Sequence, residues 1–113
     1  VDLTLWHNPR CSKSRAALAL LQDRGVSFDV RLYLKDAPDA DEVRALAHRI
    51  GRPVGDIVRR SEAAYRELNL KEADDETLAR AVADNPILLE RPILDTGRHA
   101  VIGRPPETIL TLI

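Results

Sequence analysis

His7-Asn8-Pro9-Arg10-Cys11-Ser12-Lys13-Ser14-Arg15 is the stretch in which an alternating apolar segment gives way to a helical pattern. Upstream, Val1, Leu3 and Leu5 alternate with Asp2, Thr4 and Trp6, the period of a short strand. Downstream, Ala16, Leu18, Ala19, Leu20 and Leu21 read as a buried helix. Cys11 therefore falls in the turn that joins them, at a helix N-terminus. Orphan N–H groups at a helix start, together with the charges of Arg10, Lys13 and Arg15, favour a thiolate over a thiol. A lone cysteine is ordinarily a small buried hydrophobe, but aliphatic residues are absent from positions 7 to 15, so the setting points to a nucleophile. Ser12 and Ser14 are expected to donate hydroxyl hydrogen bonds to the sulfur, and His7 to add a charge or accept the thiol proton.

The chain has one cysteine, so an internal disulfide is excluded. The position three residues beyond Cys11, where a dithiol would carry its second sulfur, is Ser14. A redox cycle must therefore recruit an outside thiol, such as glutathione or a small dithiol protein, to resolve a mixed disulfide. His7, His48 and His99 are too scattered for a zinc-ligand pattern. A phosphatase-type loop would need an arginine where Ala17 stands.

With 113 residues, 31% charged side chains and a formal net charge of −1, the composition is that of one soluble domain spanning 1–113. There is no apolar run of membrane-crossing length and no signal-like N-terminus, so the expected address is a reducing cytoplasm. The charge balance carries no footprint of nucleic-acid binding.

Gly25 is placed to stop the first helix, and Phe28, Val30 and Leu32 alternate with Asp29, Arg31 and Tyr33 as a second strand. Strand, helix, strand implies a parallel crossover. Asp39 with Glu42 forms a capping box for a helix whose apolar stripe is Val43, Leu46, Ala47 and Ile50, closed by Gly51. From Pro53 to Ala83 the pattern stays helical in short pieces, with Ile57, Val58, Tyr65, Leu68, Leu78, Ala81 and Val82 as expected buried positions, until Asn85-Pro86 breaks it. Segments 92–95 and 99–102, separated by Thr96-Gly97-Arg98, read as a β-hairpin. Arg104-Pro105-Pro106-Glu107 then opens a final helix bearing Ile109, Leu110, Leu112 and Ile113. The order is βαβ, a helical block, then ββα.

Three Arg-Pro pairs occur, at Arg52, Arg91 and Arg104. If the hairpin packs beside the first strand, Arg91 and Arg104 approach Cys11, while the helical block offers Arg59 or Arg60. Planar, permanently charged guanidinium forks around a thiolate suit a tetrahedral oxyanion such as arsenate, phosphate or sulfate.

Taken together, His7-Asn8-Pro9-x-Cys11-x-x-Ser14-Arg15, the Arg59 segment with Tyr65-x-x-Leu68-x-Leu70, the run from Asn85-Pro86-Ile87-Leu88 through Arg91-Pro92-Ile93, and Gly103-Arg104-Pro105 resemble the glutaredoxin-linked arsenate reductase family, over nearly the whole chain. The resemblance implies an α/β, thioredoxin-like mixed sheet with a helical insertion between the second and third strands, and a cis proline at Pro92. It implies Cys11 as nucleophile and Arg59, Arg91 and Arg104 as oxyanion-binding residues, supported by His7, Ser14, Arg15 and Pro92. No bound cofactor or metal is implied. Glutathione would serve as co-substrate and glutaredoxin as protein partner, with the thiolate attacking arsenate, glutathione adding to the arsenic adduct, and glutaredoxin resolving the mixed disulfide. Two other readings share these residues: a monothiol disulfide transferase acting with glutathione, and a non-catalytic Spx-like regulatory binder of RNA polymerase.

Overall fold

The computed structural model describes residues 3–113, so the part of the expected first strand at Val1 and Asp2 lies outside the described residues. Two compact units are present: Val1–Asp36 with Arg91–Ile113, and Ala37–Glu90.

The first unit is the thioredoxin-like one. Its sheet has the order β2-β1-β3-β4, with β1 Thr4–Trp6, β2 Asp29–Arg31, β3 Ile93–Asp95 and β4 Ala100–Ile102. β1 runs parallel to β2 across the helix α1 (Ser12–Asp23), and antiparallel to β3, which pairs antiparallel with β4. The hairpin thus packs beside the first strand in the way the expectation required. Leu5 faces Leu94 directly in the β1–β3 register. Both join Leu3, Ala17, Leu21 and Ile109 in one core cluster. Leu5, Leu21, Leu94 and Ile109 are fully buried, each contributing about 1.5–3 kcal/mol by removal from water.

Three readings of this unit are corrected. In α1 the inward residues are Ser14, Ala17 and Leu21, whereas Ala16 and Ala19 are exposed, because one helical face meets the sheet. In the second strand Val30 and Leu32 are exposed, at 43% and 38%, and Tyr33 is buried. The cause is position, since β2 is an edge strand and the apolar side of its alternation is only partly covered. The final helix is a 3-10 helix, Pro106–Leu112, whose buried residue is Ile109.

Gly103 fixes the junction between β4 and that last turn. A Cβ at this position would lie 2.8 Å from Pro92 Cγ and 3.0 Å from Ile109 Cγ2, so only hydrogen fits. The Gly103 N–H donates to the Pro92 carbonyl at 2.8 Å. Arg91–Pro92 and Arg104–Pro105 are both cis.

The second unit is helical: α2 Ala40–Ile50, α3 Ala63–Glu67 and α4 Asp75–Asp84, with 3-10 turns at Val54–Ile57, Leu70–Glu72 and Pro86–Leu88. The α2 capping box is formed, Asp39 accepting from the Glu42 N–H at 2.8 Å and the Glu42 side chain accepting from the Asp39 N–H at 3.2 Å. Gly51 ends the helix in the left-handed region, where a Cβ would be strained. Val43, Leu46 and Ala47 are buried as expected, and Ile50 is half-buried. Leu68, expected to be buried, is 47% exposed, and Leu70 is buried instead. Asn69 between them adopts φ 54°, and that left-handed residue breaks the helical phase from which Leu68 was read.

Candidate active site

The site is built from the C-terminal end of β1, the N-terminus of α1 and the two cis-proline segments flanking the hairpin. Cys11 is the N-cap residue of α1, with extended φ and ψ of −94° and 124°, and is half-buried. Its backbone is fixed on both sides. The Cys11 N–H donates to the Asn8 carbonyl at 3.0 Å, and its carbonyl accepts from the Arg15 N–H at 3.0 Å. Within the same loop the Asn8 side chain accepts the Arg10 N–H at 3.0 Å, and Arg15 Nη1 donates to the Pro9 carbonyl at 2.9 Å. Arg15 therefore staples the loop to the first turn of the helix.

His7 and Ser14 form a buried pair beneath the thiol. Ser14 Oγ lies 2.6 Å from His7 Nδ1 and accepts the Asn8 N–H at 3.0 Å. Burial, and secondarily the Arg15 charge, hold the His7 pKa below its ordinary value, which favours the neutral imidazole. The expectation that the Ser14 hydroxyl donates to sulfur is corrected. That hydroxyl is turned inward, to His7 and Asn8, because a fully buried oxygen needs partners in the interior. His7 Nδ1 is committed to Ser14 in turn. The pair shapes the loop from below.

The cations that act on the sulfur come from the far end of the chain. Arg104 Nη2 donates to Cys11 Sγ at 3.8 Å, while Arg104 Nε donates to the Arg91 carbonyl at 2.9 Å. The second bond aims the guanidinium. Arg91 itself is buried, at 8% exposure. Burial pushes the Cys11 thiol up, but the N–H groups of Ser14 and Lys13, the Arg91 side chain and the Arg104 charge together outweigh it. The net pKa lies below the ordinary thiol value. Sγ closes no N-cap hydrogen bond, so those amides act through their dipoles. The part of the lowering expected from the helix-start N–H groups is present, while the part expected from the Arg10, Lys13 and Arg15 charges arises instead from two remote arginines.

Arg59 belongs to the second unit. Its Nη1 is 3.1 Å from Glu90 Oε1 and its Nε 3.6 Å from Glu62 Oε1, and its N–H donates to the Leu88 carbonyl at 2.7 Å. Pro92 sits at the start of β3, against Gly103. The contribution of Gly103 was hidden in the sequence: a glycine beside an Arg-Pro pair was visible, but not that its missing side chain seats Pro92 and Ile109.

A thiol whose pKa is lowered in this way is a better nucleophile, and the guanidinium groups beside it attract oxyanions. Residues 6–112 match the ArsC family model. An arsenate reductase of Neisseria meningitidis is 42% identical over 111 residues, covering 96% of this chain and 95% of that protein. One from Haemophilus influenzae is 37% identical over the whole of both chains. Among solved structures, an arsenate reductase from Vibrio cholerae superposes with a TM-score of 0.94 at 39% identity, covering 99% of this chain and 98% of that one.

Proposed function

Because this chain belongs to the ArsC family, we propose that it reduces arsenate to arsenite with Cys11 as the nucleophile and an outside thiol as the electron source. The observation that carries the reading is the Arg104 guanidinium, aimed at Cys11 Sγ from 3.8 Å by its bond to the Arg91 carbonyl. One guanidinium edge can hold the sulfur as thiolate while neighbouring N–H groups receive the oxygens of a tetrahedral anion. Arg91 and Arg104 bind the oxyanion. Arg59 is the third arginine, a role taken from the family resemblance.

In the first step the thiolate forms an S–As bond and arsenic loses one oxygen as water. Arsenic remains pentavalent. Glutathione then supplies the second sulfur; the two sulfurs become a disulfide and their electron pair passes to arsenic, which leaves as arsenite. Overall, one arsenate and two thiols give arsenite, one disulfide and water. Glutaredoxin restores the Cys11 thiol from the mixed disulfide. A lone cysteine requires such help. The chain needs no bound cofactor for this cycle, which suits a reducing cytoplasm.

The test is arsenate-dependent NADPH oxidation with glutathione, glutaredoxin and glutathione reductase, comparing the native protein with Cys11→Ser. Turnover that disappears in the variant and on omission of glutaredoxin is the expected result. No turnover in the native protein, with an active reference reductase alongside, would overturn the proposal.

A further inference from the structure

A recess of about 450 Å3 lies beside the Cys11 loop, walled by the 7–10 loop on one side and by Leu32, Leu34 and Lys35 on the other. Neither Arg91 nor Arg104 lines it, so it is distinct from the two guanidinium groups on the sulfur. We propose that this recess seats the non-reacting part of the outside thiol, an anionic peptide thiol of the glutathione class. This rests on the thiol-dependent reading of Cys11 given above.

Size, charge, surface and position point the same way. The volume falls within the range of small-molecule sites, about 300–1,000 Å3. Both ionisable side chains at its rim that carry a fixed charge, Arg10 and Lys35, are cationic and exposed. Among the described residues no carboxylate lines it. Asp36, next to Lys35 in sequence, is drawn to Arg31, with its Oδ2 3.5 Å from Arg31 Nε and its carbonyl accepting from the same nitrogen at 3.1 Å. A γ-glutamyl tripeptide thiol carries two carboxylates and one ammonium, so it presents two groups for which this rim has matching charges.

Leu32 and Leu34, each 38% exposed, give the recess an apolar wall. The Lys35 and Asp36 N–H groups both donate to the Leu32 carbonyl at 2.9 Å, and this turn holds Lys35 at the rim. The opposite wall is the Cys11 loop itself: Arg10 precedes the nucleophile, and Asn8 accepts the Cys11 N–H at 3.0 Å. The recess thus adjoins the residue next to the nucleophile, while Arg91 and Arg104, which do not line it, remain available to the oxyanion.

Thiol–disulfide exchange tests the subsite without arsenate. The native protein reacts with glutathione disulfide by attack of Cys11 thiolate on one sulfur, giving the Cys11–glutathione mixed disulfide and releasing one glutathione thiolate. The rate of mixed-disulfide formation, read by intact mass, is compared with the rate on neutral hydroxyethyl disulfide. The comparison is made for native protein, Lys35→Glu and Arg10→Glu/Lys35→Glu. The expected result is a loss of about tenfold with glutathione disulfide in the double variant, with hydroxyethyl disulfide within about twofold of native.

Equal losses on both disulfides would place the effect on the thiol's own reactivity and overturn the subsite, as would no loss on either. A loss seen only when the probe is an oxidised dithiol protein would assign the face to a protein partner and overturn it also. Charge-selective loss combined with absent arsenate turnover keeps the subsite and removes the reductase reading. Arsenate turnover with no charge selectivity does the reverse.

Discussion

Gly103→Ala should damage both stability and thiol chemistry through a single methyl group. The added carbon would stand 2.8 Å from Pro92 Cγ and 3.0 Å from Ile109 Cγ2, so the proline ring and a fully buried core residue must move. Overpacking of this kind costs about 1–3 kcal/mol. For a chain of this length the unfolding entropy is about 0.24 kcal/mol/K, so the midpoint should fall by roughly 4–12 °C. The displacement is not neutral for the site, because Pro92 follows Arg91 and Gly103 precedes Arg104, and the two arginines are tied by the 2.9 Å bond from Arg104 Nε to the Arg91 carbonyl. Thermal melting by circular dichroism, with Cys11 alkylation by a neutral reagent at 25 °C, reads both effects. Gly55→Ala is the control, since its Cβ would meet Leu78 Cδ1 at an ordinary 3.7 Å, and the change should leave the midpoint near native or raise it by limiting the unfolded chain. A Gly103→Ala midpoint within about 1 °C of native would refute the packing argument.

Ser14→Ala strips partners from the His7 ring and the Asn8 N–H, both buried, and should cost about 1–3 kcal/mol in urea unfolding; a cost below about 0.5 kcal/mol would mean that the pair does not hold the loop. Replacing Arg91 or Arg104 by Lys keeps the charge and loses the fork, so apparent arsenate affinity should weaken about tenfold or more while the melting midpoint changes little; unchanged affinity in both removes them from the oxyanion site. Cys11 has a folded pKa below its ordinary value. Its ionisation therefore stabilises the fold fully above the unfolded thiol pKa, and that contribution is lost as pH falls through the folded pKa. Relative to Cys11→Ser, native stability should rise with pH across the interval between those two values, and a flat difference across it would contradict the lowered pKa. Asp39→Ala opens the capping box of α2 and should cost about 1 kcal/mol, measured by the same unfolding experiment; no change would show that the box contributes nothing.

The order of residues is enough wherever local chemistry decides. The capping box at Asp39 and Glu42, the stop at Gly51, the hairpin about Gly97 and the position of Cys11 at the start of α1 each depend on residues within a few positions of one another, where backbone sterics and short-range hydrogen bonds decide. The lone cysteine requires an outside thiol whatever the fold. Burial was legible only where periodicity met a fully covered surface. It failed at Val30 and Leu32, since nothing local tells an edge strand from a central one, and at Leu68, since Asn69 turns the chain out of phase. Tertiary structure alone decided which cations reach the sulfur. Arg10, Lys13 and Arg15 are nearest in sequence, yet Arg91 and Arg104 are the ones that act on it, because the β1–β3 pairing brings the hairpin's flanks to the head of α1. Coulomb energy depends on separation in space and on solvent access, and the order of residues along a chain fixes neither.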